Sequence, residues 1–356
     1  MKIPLAEFRA FVGLAAAFVA KRDIVPILRH LVFRGNQIFT YDGGTSGAAL
    51  TTPWDFGQGF TLLAERLTRL LTAMEGSTEM LHLTPGNGQV RATGGAFRAD
   101  FASLKVEEFP FPTLPGKKTA TAVSEDWGRL LGAAAFSVSQ DETKPALRGL
   151  QVAGKWIRSS DNYRITRVRQ SEPLEMFLPD IVASRLGSAI TQVQRVAVTD
   201  HLVVLYLPEG AVFGQRLAVA FPNVDELFVR YGKALQADKT LVEIRAEDPQ
   251  ALATALRRVL LFTEGDLLSR LRVTLATDGV QISTPEGGQE QAVEVVPVLV
   301  RGAGAKSGRT FDINGKMFLE AWERCSRVFV AEAYDLPLYF QATDRSFEHL
   351  LMRLVR

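Results

Sequence analysis

The chain has 356 residues, of which 47% are apolar and 22% charged, and its formal net charge is +2. This length exceeds one ordinary core and is typical of two or three globular domains. The single cysteine, Cys325, excludes a disulfide framework and a cysteine-based zinc site, which favours a reducing compartment. Because the net charge is small, any affinity for nucleic acid has to come from a local arrangement of cations.

The N-terminal segment predicts a helix packed in a core rather than a leader peptide. The apolar run Leu14–Ala20 resembles the centre of a signal peptide, but Glu7 and Arg9 precede it and Lys21 follows it without a clear cleavage site. The run is also well short of the roughly 20 residues that span a bilayer. We therefore expect a cytoplasmic protein without a membrane segment.

A long-range repeat organises the chain. Segment Lys144–Thr166 matches segment Val25–Gly44 at Pro, Leu, Leu and Asp, and Pro26 and Pro145 show the shared offset of 119 positions. A fainter third copy, Gly265–Ser283, has a strand, an Asp-Gly turn and a second strand. One third of 356 residues is about 119, so the repeat and the length together predict three domains. Their predicted bounds are 1–117, 118–237 and 238–356.

Each predicted domain contains two helices and strand-like runs, which together indicate an α+β fold with antiparallel sheets. In the first domain the second helix, Phe60–Glu75, places its leucines on one stripe. Further helices are predicted at Leu178–Ile190, Asp248–Phe262 and Asn314–Arg327. The polar, glycine-containing segments Leu114–Ala122 and Tyr231–Thr240 are interpreted as linkers.

Sequence patterns for catalysis, phosphate loops and metal sites are weak. The glycine-rich segment Gly302–Thr310 lacks the spacing of a phosphate loop. The adjacent carboxylates Asp225 and Glu226 diverge on helices and strands, so we interpret them as solvated charges rather than as an acid–base pair. The four histidines lack metal-ligand spacing, and Cys325 lies on an apolar helical stripe. The sequence therefore predicts no catalytic residue, metal or cofactor.

Basic residues recur on the predicted helices of all three domains. Any one of them alone is typical of a solvated helix face. Together they would line one surface if the domains curved around an axis, and such a surface follows phosphates without reading bases. These residues are Arg66, Arg69, Arg129, Arg185, Arg257, Arg258, Lys316, Arg324 and Arg327.

Seven segments, in order along almost the whole chain, resemble the bacterial β sliding clamps, the processivity subunit of DNA polymerase III. The segments are KRDIVPILRHL, FASLKVEEFPFPTLP, FSVSQDETKPALRGLQV, SSDNYRIT, LAVAFPNVDELF, FDINGKMFLEAW and LLMRL. Each match is weak alone, whereas the ordered set is specific. The resemblance implies the DNA clamp fold, in which two three-domain chains close head to tail into a ring of six similar units around duplex DNA.

The resemblance also implies a non-enzymatic protein that binds double-stranded DNA without sequence preference. It implies that Arg22 contacts DNA, and that the homodimer interface brings Phe109 of one copy near Leu261 or Phe262 of the other. DNA polymerase and clamp-loader subunits would insert short linear motifs into a pocket between the second and third domains. Carried over position by position, this pocket comprises Leu147, Ser160, Asn162, Tyr163, Arg164, Ile165, Pro222, Leu227, Leu268, Asn314, Met317, Leu350, Leu351, Met352 and Arg353.

Two departures from the family pattern change the expected pocket. Asn162 and Tyr163 stand where the family has Gly-His, and Leu350, Leu351 and Met352 stand where it has Met-Pro-Met. Because Tyr163 is wider than histidine, we expect a motif preference that differs from that of an ordinary bacterial clamp. Such divergence suits a phage, plasmid, resistance or other accessory clamp.

Two other interpretations stay open. A clamp-fold protein could scaffold partners with altered motif specificity without encircling DNA, and its behaviour on circular and linear DNA would separate it from a clamp. An enzyme built from the repeats, with its site at a domain junction, would instead need a nucleophile, a cofactor loop or a metal set.

Overall fold

A computed structural model of the chain describes residues 1–21, 25–76, 79–216, 219–246, 248–263, 266–276, 279–285, 290–302, 304 and 308–355. These residues contain seven α-helices and 25 strands, and the described strand registers are antiparallel. The predicted α+β fold is therefore confirmed. The helices are α1 (Leu5–Ala16), α2 (Ala64–Ala73), α3 (Trp127–Ala135), α4 (Asp180–Leu186), α5 (Asp225–Ala237), α6 (Pro249–Leu260) and α7 (Gly315–Trp322).

The strands are distributed along the whole chain. The first nine are β1 (Lys2–Pro4), β2 (His30–Arg34), β3 (Gln37–Tyr41), β4 (Ser46–Thr51), β5 (Phe60–Leu63), β6 (Met80–Gly86), β7 (Gln89–Gly94), β8 (Phe97–Ala102) and β9 (Thr121–Ala122). The next seven are β10 (Gly149–Ala153), β11 (Trp156–Ser160), β12 (Arg164–Arg169), β13 (Met176–Pro179), β14 (Arg195–Val198), β15 (Leu202–Leu207) and β16 (Gly210–Gln215). The last nine are β17 (Val242–Arg245), β18 (Arg270–Ala276), β19 (Gly279–Ser283), β20 (Val293–Val296), β21 (Leu299–Arg301), β22 (Thr310–Asn314), β23 (Arg327–Val330), β24 (Leu338–Gln341) and β25 (Phe347–Leu351).

The chain forms two compact units, each made of two stretches of sequence. Unit one contains Met1–Gly132 and Met176–Ala218, and unit two contains Ala133–Glu175 and Val219–Arg356. Residues of the predicted second domain, 118–237, therefore belong partly to each unit. The division into three domains stays a prediction.

Unit one is built on two antiparallel sheets. Their strand orders are β1-β6-β7-β8 and β5-β2-β3-β4-β16-β15-β14-β9. The larger sheet is continuous because β4 pairs with β16, with Gly47 opposite Phe213. A Cβ atom at Gly47 would lie 2.3 Å from the Phe213 ring, so this close approach requires glycine. Strands from the predicted first and second domains thus share one sheet.

Unit two repeats this construction with strands from the predicted second and third domains. Within it, one sheet has the order β10-β11-β12-β25-β24-β23-β17-β21, and the other has the order β20-β19-β18-β22. The join in the larger sheet is the pairing of β12 with β25, where Ile165 lies opposite Leu350. Helix α7 packs on α6, and the buried Trp322 donates from Nε1 to the carbonyl oxygen of Pro249 at 3.0 Å.

Two interpretations of the sequence are wrong in detail. Most of the supposed linker Tyr231–Thr240 is helical, because Phe228 and Leu235 of α5 are both buried and their packing outweighs the low helix propensity of Gly232. Helix α7 ends at Trp322, so Arg324 and Arg327, predicted on that helix, both lie beyond it, and Arg327 begins β23.

A buried polar chain crosses the join between β12 and β25. Thr166 Oγ1 lies 2.8 Å from His349 Nδ1 and accepts a hydrogen bond from Ser137 Oγ at 2.6 Å. The aromatic rings of Phe136 and Phe340 lie within 5.3 and 5.6 Å of the His349 ring. His349 Nε2 is buried and has no hydrogen-bond partner among the described residues. Complete burial holds the pKa of His349 well below its ordinary value, and the charges of Arg164 and Arg324 lower it further.

We expect the free energy of unfolding of unit two to fall as the pH drops below about 6.5, the ordinary pKa of histidine. Below that pH the unfolded chain binds a proton at His349 that the folded chain does not bind. This difference costs up to about 1.4 kcal/mol for each pH unit. Urea unfolding midpoints between pH 6.5 and 5 measure the effect.

The variant His349→Asn keeps a hydrogen-bonding partner for Thr166 and removes the titrating group. Its unfolding free energy should depend less steeply on pH, because the variant takes up about one proton fewer on unfolding over this range. An unchanged slope in His349→Asn would contradict a neutral, buried His349.

Candidate partner-binding site

The turn between β11 and β12 shapes the centre of the candidate site. The Asp161 carboxylate accepts hydrogen bonds from the backbone N–H groups of Tyr163 and Arg164, at 3.0 and 3.1 Å. Asn162 has φ of 83°, a left-handed conformation that asparagine tolerates better than most residues. Ser160 Oγ donates to the Arg164 carbonyl oxygen at 2.9 Å. This tight turn leaves the Tyr163 side chain outside, with 57% of the residue exposed.

Arg164 fixes the turn to the elements around it. The residue is only 8% exposed, and its guanidinium donates to Asp161 Oδ2 at 2.8 Å, to the Phe136 carbonyl oxygen at 2.7 Å and to the Glu320 carboxylate of α7. It also lies 5.1 Å from the centre of the Phe136 ring. A buried cation is tolerated when its donors are satisfied in this way. Arg164 therefore holds the turn in position and offers little surface for a partner to contact.

The C-terminal segment completes the same region. Met352 N donates to the Tyr163 carbonyl oxygen at 2.9 Å, which holds the 38% exposed Met352 beside the turn. Leu350 and Leu351 are buried in β25. Arg353 donates to the carbonyl oxygens of Leu336, Ala331 and Ala333, and lies 5.0 Å from the centre of the Tyr334 ring. Backbone pairing and the hydrogen bonds of Arg353 thus order the C-terminal segment as far as Arg353.

The remaining candidate residues lie on elements joined to this turn. Asn314 caps α7, because its Oδ1 accepts from Met317 N at 3.0 Å, and Arg164 links α7 to the turn through Glu320. Leu268, 41% exposed, precedes β18, whose Arg270 pairs with Asn314. Pro222 is exposed and Leu227 is half-buried at the start of α5, whereas Leu147 is buried. The exposed or half-exposed apolar side chains of the site are Tyr163, Ile165, Leu227, Leu268, Met317 and Met352.

A second group of charges, which the sequence did not reveal, connects α5 to the sheet. Asp225 accepts from Arg158 Nε at 3.1 Å and from Arg167 Nη1 at 3.3 Å, so its interpretation as a solvated charge is wrong. Burial raises the pKa of Asp225, but the hydrogen bonds and charges of Arg158 and Arg167 lower that pKa overall. Arg167 is also bonded to Glu348 of β25 at 2.6 Å. The only sequence signal was the alternation along β12, which places Ile165 and Arg167 on one face.

The candidate DNA-contacting cations fall into two classes by exposure. Arg66 and Lys316 are exposed and form no ion pair with any described residue. Four other exposed cations have carboxylate partners on the surface: Arg69 with Glu65, Arg129 with Asp126, Arg257 with Glu323 and Arg258 with Glu294. Exposed pairs of this kind contribute about 0–1 kcal/mol to the stability of the fold. A phosphate group can therefore compete with the carboxylates for these cations.

Other cations of the predicted set are committed to the fold. The Arg185 side chain is 16% exposed and bonds to the buried Asp42 carboxylate at 2.9 Å. Arg327 bonds to Glu243 at 2.6 Å within the sheet of unit two. Arg324 is exposed, but its guanidinium lies 4.0 Å from the centre of the Phe136 ring and donates to the Glu320 carbonyl oxygen at 2.7 Å. Arg22 lies outside the described residues.

The expected homodimer residues differ sharply in exposure. Leu261 and Phe262 follow α6 and are 64% and 45% exposed. Phe109 is 3% exposed and packs in a core cluster with Leu28 and Val106. The Phe109 side chain therefore belongs to the core of unit one, and its expected position near Leu261 or Phe262 of a neighbouring copy stays a prediction.

No group of three or more His, Cys, Asp or Glu side chains in the described part of the chain is placed to hold a metal ion. None of the helices in the described ranges has the length and apolar character needed to cross a membrane.

Comparisons with known proteins identify the fold. No family model and no curated protein sequence matches the chain. The DNA polymerase III β subunit of Thermotoga maritima superposes with a TM-score of 0.78 at 14% identity, covering 100% of this chain and 99% of that chain. The sliding clamp of Pseudomonas aeruginosa, bound to griselimycin, gives 0.77 at 16% identity, with 100% and 99% covered. The Bacillus subtilis sliding clamp gives 0.77 at 15% identity, with 100% and 98% covered. The chain thus has the fold of these clamps, as its motifs indicated.

The positioning role of Arg164 predicts a large loss of stability when its side chain is removed. Arg164→Ala leaves the Asp161 carboxylate and the Phe136 carbonyl without their partner and should lower the unfolding free energy of unit two by about 3 kcal/mol. Urea unfolding followed by tryptophan fluorescence measures the change. Arg257→Ala, which removes an exposed pair of the same unit, should cost less than about 1 kcal/mol. Equal costs in the two variants would contradict this role.

Proposed function

We propose that the protein is a DNA sliding clamp, a processivity factor that encircles duplex DNA as a ring-shaped, head-to-tail homodimer. The observation that carries the proposal is the fold likeness to bacterial sliding clamps over the full length of both chains. The internal repeat of the sequence supports it, since a ring of similar units is built from repeated modules. In this function a topological link retains the protein on DNA, so tight binding is unnecessary.

The exposed cations suit contact with a sliding duplex. Long arginine side chains in weak surface pairs, such as Arg69 and Arg258, exchange readily between carboxylates and phosphates. Contacts of this type are directed at the backbone and carry no sequence information. The proposed DNA partner is therefore double-stranded DNA of any sequence.

The turn at Asn162–Tyr163 and the C-terminal segment form the proposed attachment point for DNA polymerase and clamp-loader subunits. Its exposed apolar side chains offer anchors for a short linear motif, and its backbone is held by Asp161, Arg164 and Arg353. Apolar anchors on a rigid backbone are the usual basis of motif recognition. This role requires no catalytic residue, and we propose that the protein is not an enzyme.

The exposed Tyr163 favours a clamp with its own motif preference, of the accessory type. A fluorescein-labelled consensus clamp-binding peptide should bind at least about tenfold more weakly to this protein than to the Bacillus subtilis clamp, a difference of about 1.4 kcal/mol. Fluorescence anisotropy measures both affinities. Tyr163→His should reduce the difference in affinity between the two clamps. Tyr163→Phe, which keeps the width of the ring, should leave that difference unchanged. Equal affinities for the two clamps would refute the altered preference.

Encirclement predicts retention on circular DNA and loss from open ends. The protein, placed on a nicked circular plasmid by a bacterial clamp loader with ATP, should co-elute with the plasmid in gel filtration. Cutting the plasmid once should release the protein, because it can slide off the open ends. Blocking both ends with bound streptavidin should prevent this release. Equal retention on circular and open-ended linear DNA would instead support a scaffold that does not encircle DNA.

The proposed homodimer predicts two chains per particle in sedimentation equilibrium at micromolar concentration. The double variant Leu261→Ser with Phe262→Ser should raise the monomer fraction, because it removes exposed apolar surface. Val198→Ser, at another exposed apolar residue, should leave the particle mass unchanged. A wild-type protein of single-chain mass would count against the ring.

A further inference from the structure

A cavity of about 290 Å³ lies in unit two between α5 and the larger sheet. Phe228 and Leu235 of α5 contribute apolar walls, and Phe329 of β23 and Tyr339 of β24 contribute the sheet side. This volume is close to the lower end of small-ligand pockets and accommodates one or two large side chains. The exposed Val229 also lines it.

The cavity lies next to the proposed partner site, on the same face of the sheet as Ile165. Ile165, Leu350 and Tyr339 are direct neighbours on β12, β25 and β24, so their side chains share one face. Arg167 and Glu348 form the next row on that face, about 7 Å further along the strands. From Ile165 to Tyr339 is two strand spacings, or about 10 Å. A bound peptide covers that distance with about three extended residues.

The charges inside the cavity are internally balanced. Glu348 accepts from Arg167 Nε at 2.6 Å, from Gln341 Nε2 at 3.1 Å and from the Tyr339 hydroxyl. Arg167 itself is enclosed between the rings of Trp156 and Phe228, at 4.3 and 4.1 Å from their centres. These groups therefore form a neutral, satisfied floor that has no need of a charged ligand.

The two charged lining residues outside this network are both cations. Lys233 of α5 and Arg345 of the turn between β24 and β25 line the cavity and are exposed. Neither forms an ion pair with any residue in the described ranges. With the floor neutral, these two cations give the cavity a net positive charge, which complements a carboxylate.

We propose that the cavity is a second pocket of the partner site, which binds a peptide segment carrying an Asp or Glu next to a large apolar side chain. The apolar side chain occupies the space between α5 and the sheet, and the carboxylate lies against Lys233 and Arg345. The inference rests on the proposed function, since the segment continues from a motif bound at Ile165 and Tyr163. If the second pocket is occupied, the partner motif is longer than its apolar anchors alone require, and it includes an acidic residue.

Gly232 allows the cavity to be filled without disturbing the helix. It lines the cavity, and a Cβ atom there meets nothing within 4 Å. Gly232→Leu therefore places a side chain in the open space and also raises helix propensity. Gly232→Ala is the matched control, because it adds one methyl group only. Lys233→Glu reverses one cation of the pocket, and Lys239→Glu is its control at another exposed lysine.

The test uses random 12-residue peptides displayed on phage and selected against the full-length protein. Enriched peptides are synthesised with a fluorescein label, and their affinities are measured by anisotropy. We expect them to carry an acidic residue within two positions of Phe, Trp or Leu. Gly232→Leu and Lys233→Glu should each weaken binding at least tenfold, and the two controls less than twofold. Urea midpoints of all four variants confirm that they are folded.

The outcomes separate this inference from the proposed function. Peptides weakened by Tyr163→Ala but unaffected by Gly232→Leu and Lys233→Glu would overturn the second pocket and leave the partner site intact. Peptides weakened by none of these variants, or a selection without enrichment, would overturn both the pocket and the partner site. Encirclement of DNA is then judged separately by release from linearised plasmid.

Discussion

The pairing of β12 with β25 is the interaction on which unit two depends. It joins residues as distant in sequence as Thr166 and His349, 183 positions apart, and makes one sheet from two parts of the chain. Closing so long a loop has an entropic cost, which is offset here by a dry aromatic core and a chain of satisfied hydrogen bonds. On one face of the pair lies the buried chain of Ser137, Thr166 and His349. The other face carries Ile165 and Leu350 of the candidate partner site.

The same pairing explains why the candidate site has a firm backbone beneath exposed apolar side chains. Tyr163 and Met352 come from the two strand ends that meet there, and a backbone hydrogen bond joins them. Arg164 and Arg353 hold the two ends from below by donating to carboxylates and carbonyl oxygens. A surface with little conformational freedom loses less entropy on binding, which suits recognition of a short peptide.

The arginines of this chain serve two physical purposes that composition cannot separate. Arg164, Arg167 and Arg185 are enclosed and fully partnered, so their charge stabilises the fold and is not offered to a ligand. Arg66 and Arg69 are exposed on α2, where a cation meets solvent and mobile phosphates at little cost. The proposed contact with DNA therefore concerns only part of the basic residues that the helices carry.

The sequence by itself determined the α+β class, the positions of most helices and strands, and the clamp fold, since hydrophobic periodicity and ordered motifs are local signals. It failed at the linker Tyr231–Thr240 and at Asp225, and it did not reveal that Phe109 is buried. Whether Gly232 continues a helix, Phe109 joins a core or Asp225 meets two arginines depends on partners far along the chain. Only the tertiary structure brings those partners together, because burial and pairing are properties of the packed sheet and not of the segment.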